Sequence, residues 1–208
     1  MIFCDSIGGL SSEIRARKTI KLVEIIMPKG KYLCVYCGAS EKVDKAYLDY
    51  AEDLGKLIAI NDFNLVYGGG RNGLMGRVAN SVLLNGGIVV GVTTSQLDDS
   101  EGKPSGLQEL HVVDTMHDRK MRMFLKADAF IIMPGGYGTL DEFFEVLTWK
   151  KLGIHNKPII VANLNNYWDP LLGLLNHIMD TDFSAKQYFK LVQVATSLEE
   201  VINLAKGK

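Results

Sequence analysis

The segment AFIIMPGGYGTLDEFFEVLTWKKL (129–152) opens on a run of apolar residues, crosses a glycine turn and closes on a helical pattern. Leu140, Phe143, Phe144 and Leu147 recur at i, i+3, i+4 and i+7, the buried stripe of a helix that the pattern starts near Thr139. The run before the turn, AFIIMP, is apolar at every position, which marks a strand covered on both faces. Strand, turn and helix in that order make half of a βαβ unit, and the unit repeats outward in both directions. Toward the N-terminus, YLCVYC (32–37) precedes a helical stretch over 43–61, and FNLVYG (63–68) precedes one over 74–85. IVVGV (88–92) leads into a polar loop with Pro104 and Gly106, and LHVVD (110–114) precedes a helix over 116–127. Toward the C-terminus, PIIVANL (158–164) precedes 169–179 and LVQVA (191–195) precedes 198–205. This alternation predicts an α/β fold, a Rossmann-like doubly wound parallel sheet in three α/β/α layers, forming a single domain over 31–208.

Residues 1–30 differ in character. MIFCDSIGG lacks the basic and continuous apolar regions of a secretory signal, and Glu13–Met27 reads as a short amphipathic helix before Pro28 and Gly30. The segment is read as an appendage with no assigned role. Of the 208 residues, 47% are hydrophobic and 23% charged, and no run approaches the roughly 18 apolar residues of a membrane span. A net charge of −1 removes any broad electrostatic case for nucleic acid or membrane partners, so an anion would need a local site. Three cysteines without a signal point to a reducing cytoplasm and no disulfide framework. Cys34 and Cys37 form a C-x-x-C, but on a strand they face opposite ways, and no second pair with zinc spacing follows. Their reading is structural, and no metal site is expected.

Two glycine clusters fall at strand ends, where open α/β sheets bind ligands. GGGRNGLMG (68–76) fits the dinucleotide fingerprint G-x-G-x-x-G, yet the next strand ends in Thr93 and Thr94 rather than in a ribose-binding acid. That favours a smaller phosphate-bearing ligand over NAD or FAD. PGGYGT (134–139) also opens a helix, so its backbone N–H groups and the helix dipole suit an anion. No Gly-Lys-Ser/Thr follows, which removes ATP γ-phosphate chemistry.

Glu142 lies off the apolar stripe, near that anion site. A carboxylate there suits stabilisation of an oxocarbenium-like sugar or orientation of a water. Thr139-Leu140-Asp141-Glu142 also fits the capping box T-x-x-E, which would make Glu142 purely structural, and the local pattern leaves both readings open. If Thr115 caps the preceding helix, Arg119 and Lys120 occupy its first turns, where cations oppose the dipole unless an anion or a carboxylate faces them. Ordinary surface exposure is the alternative for Arg119. Asp141 and Glu145 flank Glu142, His117 reads as a surface or packed histidine, and Trp149 with Lys150 and Lys151 faces a partner helix and solvent.

With these motifs in hand, the chain resembles the LOG family, cytokinin riboside 5′-monophosphate phosphoribohydrolases often mislabelled as lysine decarboxylases. PGGYGTLDE (134–142) and GGGRNGLMG (68–76) carry the resemblance, supported by CGAS (37–40), MHDRK (116–120) and EVLTWKKLGIHNKPI (145–159), from about Lys31 to Ala205. The resemblance implies hydrolysis of the N-glycosidic bond of a purine nucleoside 5′-monophosphate, giving free base and ribose 5-phosphate. It places catalytic roles on Arg119 and Glu142. It places substrate binding on Ser40, Gly69, Gly70, Met75, Lys120, Gly135, Gly136, Gly138 and Thr139. It also implies a cytoplasmic homodimer or larger homo-oligomer with no metal or organic cofactor. A decarboxylase of amino acids would need an electron sink such as PLP on a lysine, and no lysine has that context. Three departures bear on base preference: no proline follows Gly91-Val92, the 98–106 loop is unusual, and Asp141 stands where a glutamate is usual. An AMP nucleosidase and a non-catalytic nucleotide sensor or carrier are the alternatives.

Overall fold

The computed structural model describes residues 30–97 and 106–207; the reading of residues 1–29, and nearly all of the unusual 98–106 loop, lie outside them. Seven strands form one parallel sheet: β1 (Tyr32–Tyr36), β2 (Asn64–Tyr67), β3 (Val89–Thr94), β4 (Glu109–Val113), β5 (Ala129–Ile132), β6 (Ile159–Ala162) and β7 (Gln193–Ala195). Their order is β4-β3-β2-β1-β5-β6-β7. The sheet therefore grows one way from β1 through β4 and then the other way from β5, and the reversal opens a crevice between the exits of β1 and β5.

Helices cover both faces because the strands are apolar on both. α1 (Lys45–Ile60), α2 (Gly73–Leu84) and α6 (Leu198–Lys206) pack one core with Leu33, Val35, Leu65 and Ile131. α3 (Met116–Lys126), α4 (Tyr137–Lys151) and α5 (Asp169–Asp180) pack the other with Cys34, Val66, Phe130 and Ile132. Cys34 and Cys37 fall in opposite cores, both buried, and desolvation pushes both thiols up. Neither is placed for metal binding or exchange chemistry, as the alternation of a strand requires. Among the described residues no three His, Cys, Asp or Glu side chains converge as metal ligands, and no helix is long and apolar enough to cross a membrane.

The differences from the sequence reading are local. α1 begins at Lys45, later than the pattern suggests, because the Asp44 carboxylate caps it, accepting from Ala46 N at 2.8 Å. β4, the sheet edge, is half-exposed, unlike the buried strands inside. Two 3-10 turns, Leu164–Asn166 and Lys186–Leu191, carry no periodic signal long enough to read from sequence.

Candidate active site

Arg119 is fixed from three directions. Thr115 caps α3 by accepting from Asp118 N at 3.1 Å, so Arg119 falls just past the first turn, on the face turned toward the sheet. Its Nε donates to Val92 O at 3.0 Å, Nη2 to Gly68 O at 2.9 Å and Nη1 to Glu142 Oε1 at 3.2 Å. The two carbonyls belong to the exits of β3 and β2, while the carboxylate comes from α4 across the crevice. A Cβ at Gly68 would overlap the Arg119 guanidinium, so this glycine is needed to seat the arginine. An arginine 7% exposed so near a helix N-terminus is destabilising alone, and the ion pair with the carbonyls offsets it.

Glu142 is held against that arginine with its side chain only 12% exposed. Burial raises its carboxyl from an ordinary 4.5 to about 7, while Arg119 and Lys120 oppose the rise and Asp141 adds to it. Burial keeps Cys34, Tyr36 and Cys37 in their neutral, protonated forms, and the Glu142 charge adds to the rise of each. The capping-box reading is corrected here. Gly136 is the N-cap of α4 and makes no side-chain cap bond, so Thr139 lies inside the first turn and Glu142 a full turn deeper. The helix starts at Tyr137, three residues before Leu140 opens its apolar stripe, because the turn glycines carry no side chains to extend that stripe.

Lys120, beside Arg119, is equally buried. Its Nζ lies 3.0 Å from Asp141 Oδ2 and 3.1 Å from Glu145 Oε1, so a second ion-pair bridge ties α3 to α4. Desolvation presses its ammonium down, but these hydrogen bonds prevail and the net shift is upward. The structure thus directs Lys120 at the carboxylates of α4. His117 is exposed on the outer side of α3, and Trp149 packs edge-on against Phe124.

The two glycine clusters flank β1 rather than adjoin each other. Gly68, Gly69 and Gly70 are buried, and Gly69 takes φ +77°, a left-handed conformation beside Thr93. The N-terminus of α2 is already met by protein, since Glu41 Oε1 accepts from Gly73 N at 2.8 Å. Half-buried Met75 packs against the core beside this loop. At α4 the situation is reversed. Thr139 is buried against Gly135, but Gly136 and Gly138 are exposed, and a Cβ at either would meet no atom within 4 Å. No internal packing at these two positions requires glycine, which leaves clear backbone in front of a helix N-terminus. Exposed Ser40 and Gly136 and half-buried Gly135 line one cavity of 490 Å³ with Tyr47, Leu74 and Tyr167. Glu41 and Tyr167 were not singled out by the sequence reading. An acid four residues past a strand carries no marker for Glu41, although the doublet Asn165-Asn166, residues that tolerate left-handed backbone, marks the Tyr167 loop as unusual.

Fold and site define the class: a doubly wound α/β protein with a buried guanidinium–carboxylate pair at its switch point. A family profile described as "Possible lysine decarboxylase" matches residues 75–205. The chain is 45% identical over 176 residues to a cytokinin riboside 5′-monophosphate phosphoribohydrolase of Rhodococcoides fascians, covering 84% of this chain and 89% of that one. It is 38% identical over 178 residues to one of Arabidopsis thaliana, covering 85% and 83%. The molybdenum cofactor carrier protein of Chlamydomonas reinhardtii superposes with TM-score 0.66 at 20% identity, over 86% of this chain and 98% of that one, a likeness of fold alone. The chain belongs to the LOG family of phosphoribohydrolases, the family that the decarboxylase description covers.

Proposed function

We propose that the protein hydrolyses the N-glycosidic bond of a purine nucleoside 5′-monophosphate with an N6-modified adenine, releasing a cytokinin base and ribose 5-phosphate. The observation that carries this is the Arg119–Glu142 pair, buried beside a helix N-terminus with open glycines. The phosphate sits on the backbone of Gly135, Gly136 and Gly138 at the start of α4, where the dipole favours it. Thr139 braces that turn, and Ser40, Gly69, Gly70 and Met75 border the ribose and base. The ribose then lies toward Glu142. As the C1′–N bond breaks, its electron pair leaves with the base and positive charge grows on the sugar, which the carboxylate favours. Glu142 takes a proton from the attacking water and returns it to the departing base, so the proton balance closes. Arg119 has five N–H groups and commits three, and the others orient the ribose or the leaving base. Lys120 fixes α4 through Asp141 and Glu145.

Incubating the protein with AMP and with isopentenyladenosine monophosphate, followed by chromatography for free base, tests this. Base release from the modified nucleotide is the expected result. Faster release from AMP points to a housekeeping nucleosidase, and binding without release over hours points to a sensor or carrier.

The raised Glu142 carboxyl makes a pH prediction. Its ionised form is the reactive one, so kcat/KM, which reports the unoccupied enzyme, falls about tenfold per pH unit below an apparent pKa near 7 and levels off above it. The second ionisation of the substrate phosphate, at about 6, also enters kcat/KM and is located separately by titrating the nucleotide alone. A flat profile between pH 5 and about 8 overturns the assignment.

The protein acts in the cytoplasm as a homodimer in this reading. Val112 of β4 is an exposed apolar side chain, as are Met116, Met121 and Leu125 of α3, the helix that carries Arg119. Glu109 and Asp118 share their groove with Arg122 and Lys126, so a two-fold axis there sets acid against base on both sides. Light scattering should give twice the chain mass, and Leu125→Asp should give a monomer. A monomeric wild type overturns the dimer.

A further inference from the structure

The loop after β6 grips the candidate phosphate loop with two successive aromatic residues. Trp168 Nε1 donates to Ile132 O at 3.2 Å, at the exit of β5, and Tyr167 OH donates to Gly135 O at 2.7 Å, three residues on. Met133 and Pro134 are framed between these two bonds.

The gripping loop is itself over-determined. Asn165 and Asn166 take φ +52° and +56°, two consecutive left-handed residues that are not glycine. Such backbone persists only where its surroundings enforce it. Here Tyr50 OH donates to Asn165 Oδ1 at 3.0 Å, Trp168 N donates to Asn163 Oδ1 at 2.7 Å, and Asn163 Nδ2 donates to Asp169 Oδ1 at 2.8 Å. The Tyr167 ring meets Tyr47 edge-on at 5.5 Å and Trp168 at 4.8 Å. Its ring therefore has a fixed place even though the residue is 37% exposed and faces the 490 Å³ cavity. An exposed tyrosine needs none of this apparatus for solubility or for packing a core.

We propose that Tyr167 is a positioning residue for the phosphate, acting through the Gly135–Gly136 peptide. A peptide unit is planar, so a hydroxyl that holds the Gly135 carbonyl also fixes the direction of the Gly136 N–H on the other side of the same plane. Gly135 and Gly136 are otherwise the residues most free to rotate. Without the hydroxyl the loop samples other planes, and an arriving phosphate must order it at the expense of affinity. The proposal rests on the reading of the Pro134–Thr139 turn as the phosphate cradle. It concerns binding of the phosphate and leaves the Arg119–Glu142 chemistry untouched.

Calorimetric titration of wild type and Tyr167→Phe with ribose 5-phosphate, AMP and adenosine tests it. The Phe variant keeps the ring contacts, and its melting temperature should stay near wild type. Its affinity for ribose 5-phosphate and AMP should drop roughly tenfold, the worth of one hydrogen bond, with adenosine unchanged. In turnover, KM should rise with kcat nearly constant. Tyr50→Phe, which frees Asn165, should move the same affinities in the same direction by less. Unchanged ribose 5-phosphate binding in Tyr167→Phe, or an equal loss for adenosine, overturns the role of Tyr167. Failure of the wild type to bind ribose 5-phosphate at all would instead overturn the cradle reading.

Discussion

Glu142→Gln is expected to lower kcat for base release by roughly a hundredfold to ten-thousandfold, with substrate affinity near wild type. Glutamine keeps the length and an oxygen that accepts from Arg119 Nη1, so the crossing between α3 and α4 stays closed. What it loses is the negative charge that faces the sugar and the basic site that takes the water proton. The same substitution has a signature in stability. Glu142 has a folded value of about 7 against an ordinary 4.5, so between those values the folded state holds a proton that the unfolded state releases. Stability therefore falls as pH rises through that window, and Glu142→Gln removes this dependence. Denaturant melts of both proteins across the window read it, beside a chromatographic assay of base. Wild-type base release from Glu142→Gln would reduce Glu142 to a structural partner of Arg119.

Arg119→Ala carries the second large effect, on folding and on chemistry together. It strips donors from Gly68 O, Val92 O and the Glu142 carboxylate at once, in a region nearly closed to water. Removing one partner of a buried pair costs about 3–5 kcal/mol, a large part of the roughly 5–15 kcal/mol that holds an ordinary domain. The variant should melt well below wild type. Whatever remains folded should have its acidic limb moved to higher pH, because the largest influence holding the Glu142 carboxyl down is gone. Arg119→Lys should rescue little, since one ammonium cannot reach three acceptors in a planar fork. A melting point and limb both unmoved in Arg119→Ala would refute this account.

The sheet was legible because its strands are apolar on both faces, and no local choice competes with that pattern. The helix stripes and the Thr115 cap were legible for the same reason, as short-range chemistry. Long-range partners were not. The cost of a cation early in α3 announced that something must face Arg119, but only the fold names Glu142 and two strand-end carbonyls. The same limit left T-x-x-E open between two readings, because it satisfies a capping box on paper while Gly136 starts the helix earlier. The glycines of 68–73 were read as an anion loop. In the structure Gly68 makes room for an arginine and Glu41 already occupies the N-terminus of α2. A glycine in sequence says that space is needed, and not for what.

The contact between Gly68 and Arg119 constrains how the chain can drift over generations. Position 68 and position 119 lie 51 residues apart, yet any side chain at the first displaces the guanidinium of the second. Bulk at 68 unseats the guanidinium, and a smaller residue at 119 leaves a hole that a side chain at 68 can fill. The second order of events is a ratchet. Descendants that lose the arginine first can accumulate bulk at 68 and be barred from restoring the Arg119–Glu142 pair by a single reversion.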